Sequence, residues 1–260
     1  YNRELAASLT AIRLNGPDGL YKGEAAQKLV RYAAAEGGAL SAAELAAYRA
    51  GRSNSHAIQM GNEMAYLPPT RLGAGTFAAS LLSRLVNNNG VVNADVAATA
   101  TAAATKTTLA QFGITSLPRD LGATGFAATD TNGQAVSCAV TMNGPFGSGH
   151  TATGTGVTFA KSPASGQAGL SAAFLTPVIA TSGGQVSLAG AGAGGPNGTA
   201  AIAYTLVRLA RGEDVTKPGD LRSTGDAPYD TVNVITCQNG TCAALPDPGA
   251  MGLGAAGIAH

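Results

Sequence analysis

The sequence predicts an α+β protein, built as a layered sandwich with helices in its first part and antiparallel strands in its second. Three observations predict this class. Residues 1–50 space their apolar side chains as helices do. From residue 124 onward, short apolar runs alternate with Asn-Gly and Gly-Gly turns, which is the pattern of strands in hairpins. A helix predicted at about 198–211 is apolar along one face and is expected to cover the strands.

The helices of the first part are predicted from their ends as well as from their periodicity. The run NRELAASLTAIRL is amphipathic, and the helix after it is stopped by a double glycine. A third helix follows Ser41, which precedes Glu44 by three residues and so forms a capping box, and is expected to end at Gly51. The elements predicted next are one strand that ends before Pro68 and helices at about 73–87 and 93–111.

The strands of the second part are predicted from their turns. Asn132-Gly133 is the strongest type of hairpin signal, and it sets a register in which Thr141 lies beside Ala123. The predicted strands are 124–130, 134–142, 174–181 and 185–190, with a strand or hairpin over 229–245.

Composition and charge argue against two classes of partner. Charged residues make up 12% of the chain and the net charge is +1, with no basic run that could follow a nucleic acid. No stretch reaches the ~18 uninterrupted apolar residues of a membrane helix. We therefore expect no nucleic-acid partner and no membrane span. The sequence begins at Tyr1 without a signal-peptide pattern, so we expect a processed, truncated or trimmed chain.

Two of the three cysteines flank a turn. In CQNGTC, Cys237 and Cys242 stand on either side of Asn-Gly, and facing positions of a hairpin bring two Cβ atoms within disulfide reach. A disulfide would indicate an oxidising compartment, so we expect a periplasmic or secreted protein. The alternative is two unpaired thiols. Cys138 lies alone in a predicted strand and is interpreted as an inert core thiol.

The sequence predicts no metal site and no cofactor. The histidines have no metal-ligand spacing, and the paired cysteines have no histidine partners; the three histidines are His56, His150 and His260.

A glycine-rich loop leaves three interpretations open. Gly190, Gly192 and Gly195 match G-x-G-x-x-G before a helix, with Glu213 and Asp214 about eighteen residues later. A dinucleotide site would need a βαβ unit with the acid at the end of a second parallel strand, and no apolar strand carries this acid. The other interpretations are a tight turn without function and a loop whose N–H groups face a reacting oxygen.

The order of several short motifs resembles a known family. ATGFAATD, TNGQAV, TMN and FGSG follow one another from residue 123, and Pro177, Gly184 and the Gly194-Gly195 pair come later at a similar spacing. Together they resemble the small subunit of the γ-glutamyltranspeptidase family of N-terminal-nucleophile hydrolases. GPDGLYKGEAAQKLV and GGALSAAELAAYRA resemble part of the family's large subunit.

The resemblance implies an α/β/β/α sandwich with two segments. Residues 1–122 would be a mainly helical, large-subunit-like segment, and residues 123–260 a small-subunit-like catalytic segment with antiparallel strands. The GGNAxDA and GIGGG segments of the family's N-terminal half have no counterpart in this sequence. We therefore expect an incomplete sandwich whose exposed sheet edges are covered by an N-terminal segment or a second chain.

The resemblance also implies catalytic roles. Autoproteolysis before position 123 would expose an N-terminal nucleophile whose own α-amine is the base. Thr141 would orient that nucleophile, Gly194-Gly195 would form the oxyanion hole, and Asn143 would hold one end of the substrate. From the residues alone, Thr141 is equally an ordinary strand threonine, and Asn143 is equally part of a turn.

The sequence also departs from the family pattern at several of these positions. Position 123 is alanine, which has no nucleophile, so the chain is expected to be inactive or trapped uncleaved; an introduced change or a natural pseudoenzyme would explain it. Thr124 is one residue late, and a one-residue slip turns a side chain to the other face of a strand. Ala173 and Phe174 replace the paired serines that bind the acyl carboxylate, and Ala164 and Ser165 replace an acidic pair.

The sequence thus predicts an amide-bond hydrolase or acyltransferase that acts on a small peptide or a γ-glutamyl or other acyl amide. The family's setting is glutathione metabolism, but the replaced residues favour a more apolar acyl group than that of glutathione. The alternatives are a hydrolase of the isoaspartyl peptidase/asparaginase type and a non-catalytic homologue that binds peptides.

Overall fold

The computed structural model describes residues 2–70, 73–86, 93–117, 121–162, 167–215, 231–247 and 253–255. The chain forms two compact units that do not follow sequence order. The smaller unit comprises Tyr1–Arg52 and Phe146–Lys161, and the larger comprises Ser53–Pro145 and Ser162–His260. The predicted division into residues 1–122 and 123–260 is based on a cleavage site and not on compactness. These two units therefore do not test it, and it stays a prediction.

The smaller unit consists of four helices and one short β-hairpin among the described residues. Ser41 caps its last helix through the predicted capping box with Glu44, but that helix ends at Ala47 rather than at Gly51. The Ser8 hydroxyl donates to the carbonyl of Thr155, which ties the first helix to the hairpin loop. The elements are α1 (Arg3–Asn15), α2 (Asp18–Tyr21), α3 (Gly23–Ala35), α4 (Ala42–Ala47), β5 (Thr151–Ala152) and β6 (Val157–Thr158).

The larger unit is built on a six-stranded antiparallel sheet. In sheet order, its strands are β1 (His56–Met60), β2 (Glu63–Leu67), β7 (Thr176–Ser182), β8 (Gln185–Ala193), β9 (Thr231–Gln238) and β10 (Thr241–Leu245). The single strand predicted before Pro68 is in fact the hairpin of β1 and β2, because Gly61 takes a positive φ and turns the chain.

One face of this sheet is covered by helices. Val178, Leu188 and Val232 point from three strands into a core that contains Phe77 and Ile202. A Cβ at Gly192 would come within 2.7 Å of the carbonyl oxygen of Gly198, so glycine at 192 lets the last helix approach β8 closely. The helices of this unit are α5 (Thr76–Val86), α6 (Ala94–Gln111), α7 (Leu170–Ala173) and α8 (Pro196–Ala210).

The other face of the sheet is covered by a hairpin of β3 (Ala123–Thr129) and β4 (Ala135–Thr141). A Cβ at Gly125 would come within 2.5 Å of the Ala191 Cβ, so glycine at this position lets the hairpin approach β8 closely. Ser137 bridges the two layers: its hydroxyl donates to the carbonyl of Gly190 and accepts from the N–H of Val178.

The α+β class with antiparallel sheets is therefore confirmed. The larger unit shows a helical layer, a six-stranded sheet and a two-stranded hairpin in that order. A fourth, helical layer and the incompleteness of the sandwich stay predictions. Within the described ranges, no helix is both long and apolar enough to cross a membrane.

Candidate active site

The site is centred on the first residue of β3. Ala123 pairs directly with Thr141, the last residue of β4, which confirms the register predicted from the Asn132-Gly133 turn. Both residues are partly buried. The end of the hairpin therefore brings the predicted nucleophile position and the predicted orienting threonine together.

Thr141 makes three close contacts through its hydroxyl. Its Oγ1 lies 3.0 Å from the carbonyl oxygen of Leu121 and 3.2 Å from that of Gly122, so its single proton is shared between two acceptors. The same oxygen accepts the N–H of Asn143 at 3.0 Å. A threonine with this set of contacts positions the backbone that leads into residue 123.

The carbonyl of Gly122 belongs to the peptide bond that precedes position 123. Besides the Thr141 hydroxyl, it accepts the N–H of Met142 at 2.9 Å. Two donors on one carbonyl oxygen are the arrangement that stabilises negative charge when the carbonyl carbon is attacked. Sequence reasoning missed Met142, because a backbone donor leaves no trace in the identity of its side chain.

Only glycine fits at position 122. Its φ is +58°, and a Cβ would come within 1.9 Å of the Gly144 carbonyl oxygen. Asn143, at φ +58°, lies in the bend that makes this contact, which agrees with the alternative of a turn residue. A contact of Asn143 with substrate stays a prediction.

Thr124 points away from the site. It is exposed, and its partner Val140 is 47% exposed, so both lie on the outer face of the hairpin. Ala123 and Gly125 lie on the inner face, against the sheet. As expected for a residue one position late, the Thr124 side chain lies on the opposite face of the strand from position 123. It therefore does not occupy the place of the nucleophile.

The glycine loop joins β8 to α8. Gly194 is buried with φ +90°, a conformation that favours glycine, and Gly195 is the buried N-cap of α8. Within the part of the chain that the structure describes, neither N–H donates to a backbone carbonyl. These N–H groups are therefore free to face another acceptor.

The loop and position 123 lie at the same end of the sheet. Gly125 contacts Ala191, whereas Ser137, which is opposite Ala127, bonds Gly190. The directions of β3 and β8 are therefore antiparallel. Moving back from Gly125 to Ala123 therefore leads toward the end of β8 and the glycine loop.

The structure does not support the dinucleotide interpretation of this loop. β9, the next strand after α8 among the described residues, runs antiparallel to β8, so these three elements do not form a βαβ unit. Glu213 instead accepts from the Arg208 guanidinium at 2.8 Å. Gly190 and Gly192 lie inside β8, where they allow close packing.

The predicted acyl-binding positions are placed in the core. Phe174 is 0% exposed, and its ring centroid lies 4.9 Å from that of Phe77, while Ala173 is 2% exposed. Neither side chain offers surface to a substrate in this conformation, and their predicted role stays a prediction. Positions 164 and 165 lie outside the described residues.

The predicted disulfide is present. Cys237 and Cys242 are bonded and stand opposite each other in the β9–β10 hairpin, with their Cα atoms 4.0 Å apart. Cys138 is a free thiol on β4 and is only partly buried, rather than a core residue.

The described residues contain no group of three or more His, Cys, Asp or Glu side chains that could hold a metal ion. His150 pairs instead with Glu36, with 3.1 Å between Nδ1 and the carboxylate. His260 lies outside the described residues.

Comparison with known proteins gives a family match in the first part of the chain. Residues 1–94 match the family model described as Gamma-glutamyltranspeptidase. The predicted resemblance to this family is thereby confirmed for these residues, which make up less than half of the chain. No curated protein sequence matches the chain.

The fold is similar to that of a cephalosporin acylase from Bacillus halodurans, with a TM-score of 0.72 and 14% sequence identity. That match covers 99% of this chain but 63% of the acylase chain, so this chain spans less than two thirds of its length. A gamma-glutamyltranspeptidase from Pseudomonas nitroreducens, in complex with L-DON, matches 52% of this chain and 100% of its own at 18% identity, with a TM-score of 0.39.

Proposed function

We propose that this chain is a γ-glutamyltranspeptidase-like amide-bond hydrolase or acyltransferase whose nucleophile position is 123, and that alanine there keeps it uncleaved and inactive. The observation that supports the proposal most strongly is the pair of donors on the Gly122 carbonyl, the Thr141 hydroxyl and the Met142 N–H. The Thr141 hydroxyl lies within hydrogen-bond distance of the carbonyl that self-cleavage would attack, as well as of the Leu121 carbonyl.

Self-cleavage would proceed through this carbonyl. A threonine hydroxyl at position 123 attacks the carbonyl carbon of Gly122 and loses its proton, and negative charge develops on the Gly122 oxygen between the two donors. The C–N bond breaks, the amine of residue 123 takes up a proton, and an ester remains. Water hydrolyses the ester, which releases the carboxyl group of Gly122 and frees both the hydroxyl and the α-amine of residue 123.

Turnover would then use the freed amine as the base. The amine accepts the proton of the neighbouring hydroxyl as that oxygen attacks the substrate's amide carbonyl, and it returns the proton to the departing amine. Water or an acceptor amine resolves the acyl-enzyme. Gly194 and Gly195 would supply the N–H donors for this second oxyanion, which their lack of backbone acceptors among the described residues supports.

The acyl group is expected to be more apolar than γ-glutamyl. Ala173 and Phe174 stand where the resemblance places the pair of serines that bind the acyl carboxylate, so these positions supply no hydroxyl to such a group. The neighbour described as a cephalosporin acylase supports a broader acyl-amide class, although the likeness is one of fold alone. An N-terminal segment or second chain is expected to complete the sandwich. The Cys237–Cys242 disulfide supports a periplasmic or secreted location.

The direct test is to restore a nucleophile. Ala123→Thr should hydrolyse γ-glutamyl or simple acyl anilides, and the control Ala123→Val, which has the same shape without the hydroxyl, should not. Release of aniline by the first variant alone supports the proposal. Equal inactivity of both variants, with the fold retained, contradicts it.

A non-catalytic, peptide-binding homologue is the second candidate, and Ala123 itself favours it. This function predicts that both variants at position 123 stay uncleaved and inactive, and that the unchanged chain binds short peptides. The isoaspartyl peptidase/asparaginase type predicts instead that Ala123→Thr prefers β-aspartyl peptides over γ-glutamyl or acyl anilides.

A further inference from the structure

A hydroxyl at the start of β9 is buried without a hydrogen-bond partner. Among the buried side-chain polar atoms of the described residues, Oγ1 of Thr231 is the one that makes no hydrogen bond. Burying a hydroxyl without a hydrogen-bond partner destabilises a fold, because the group loses its hydration. A methyl group in the same place has no such desolvation penalty. The position of this threonine therefore calls for an explanation beyond stability.

The Thr231 hydroxyl faces the β3–β4 hairpin. Along β9, Val232 and Val234 point into the core beneath the helices, so Thr231 and Asn233 point to the opposite face. The side-chain amide of Asn233 donates to the carbonyl of Gly125 on β3 at 2.8 Å, so this face of β9 contacts the β3–β4 hairpin.

The register places Thr231 level with position 123. Asn233 is opposite Ala191 in the sheet, and both contact Gly125 of β3. Because β3 runs antiparallel to β8, and β8 antiparallel to β9, β3 and β9 run in the same direction. Two residues back from Gly125 is Ala123, and two residues back from Asn233 is Thr231.

The same residue adjoins the glycine loop. Thr231 is opposite Ala193 in the sheet, immediately before Gly194, and its carbonyl oxygen packs against Gly198 of α8. The unpaired hydroxyl therefore lies where the first residue of β3, the end of β8 and the start of α8 converge.

We infer that Thr231 is a positioning residue for the nucleophile at 123, an inference that rests on the proposed function. After cleavage, its oxygen accepts one N–H of the freed α-amine, which turns the amine's lone pair toward the hydroxyl of the same residue. In the present chain this nitrogen is still part of the peptide bond to Gly122 and the side chain is alanine, and among the described residues the Thr231 hydroxyl has no hydrogen-bond partner. The inference accounts for the unpaired atom by the missing free amine.

The test replaces the hydroxyl by a methyl group in the active background. In the Ala123→Thr chain, Thr231→Val should lower kcat on an acyl anilide about tenfold or more, because a misplaced base transfers protons poorly, and should leave KM within about twofold. Its melting temperature should be equal or higher, since an unpaired buried hydroxyl has been removed. Thr231→Ser should keep most of the activity. Thr181→Val, at the far end of the sheet, is the matched control and should leave kcat unchanged.

The outcomes distinguish a failure of the Thr231 inference from a failure of the proposed function. If Ala123→Thr turns over and Thr231→Val does so equally fast, the inference is wrong and the proposed function stands. A fall in kcat that serine does not rescue, together with a lower melting temperature, makes Thr231 structural and also overturns the inference. An Ala123→Thr chain that neither cleaves nor turns over overturns the proposed function and the inference with it.

Discussion

The Thr141 hydroxyl oxygen lies 3.2 Å from the carbonyl oxygen of Gly122, at the end of the β3–β4 hairpin. This contact joins the last residue of one strand to the peptide bond that leads into the other. In the uncleaved chain Thr141 therefore contacts the backbone before position 123 rather than a side chain at 123. Under the proposed function, its contact with this carbonyl and its predicted role as an orienting hydroxyl would belong to successive stages of one reaction.

The first prediction concerns this donor. In the Ala123→Thr chain, Thr141→Val should slow self-cleavage roughly 10²-fold, because one of two donors on the developing oxyanion is lost. The measurement is the fraction of cleaved chain against time on a denaturing gel. Thr124→Val is the matched control, since Thr124 is exposed on the outer face, and it should cleave at the parent rate. Equal rates for both variants would remove Thr141 from the mechanism.

The second prediction concerns the glycine loop. Gly194 has φ +90°, so any side chain there strains the backbone, whereas Gly195 has an extended φ of 162° that alanine can adopt. Gly195→Ala in the Ala123→Thr chain should therefore lower anilide turnover about 10²-fold by hindering approach to the N–H donors, with little loss of stability.

The control for the loop is Gly51→Ala, because a Cβ at Gly51 meets nothing within 4 Å. This variant should match its parent in both turnover and melting temperature. Full activity of Gly195→Ala would contradict an oxyanion role for the loop. A loss of activity that follows a loss of stability would make the loop a structural turn.

The third prediction concerns the cysteines. The chain has three of them, and with Cys237 and Cys242 bonded we expect one free thiol, that of Cys138, in the denatured, unreduced protein. Reduction before titration should raise the count to three. Three thiols without reduction would show that the disulfide does not form and would remove the support for an oxidising compartment.

The features that the sequence predicts well are those with local causes. The Asn132-Gly133 turn fixes the β3–β4 register, the Asn-Gly turn between Cys237 and Cys242 fixes the disulfide, and the Ser41–Glu44 capping box marks a helix start. Each depends on a few neighbouring residues whose side chains set the backbone directly.

The features that the sequence did not reveal depend on distant contacts. Met142 acts through its backbone, Thr231 is an ordinary strand threonine until the hairpin covers it, and Phe174 is a core residue because Phe77 packs against it. Gly61 gives no clear turn signal in the sequence, because the strand pattern on either side of it is loose. No local pattern distinguishes these positions before the layers come together.

The central claim is that the bond between Gly122 and Ala123 is arranged for self-cleavage and is spared by alanine alone. The measurement that tests it most directly is the intact mass of the purified Ala123→Thr chain, with Ala123→Val alongside. We expect two fragments from the threonine variant, the second beginning at residue 123, and one intact chain from the valine variant. An intact threonine variant that is folded, or cleavage at any other bond, would contradict the account.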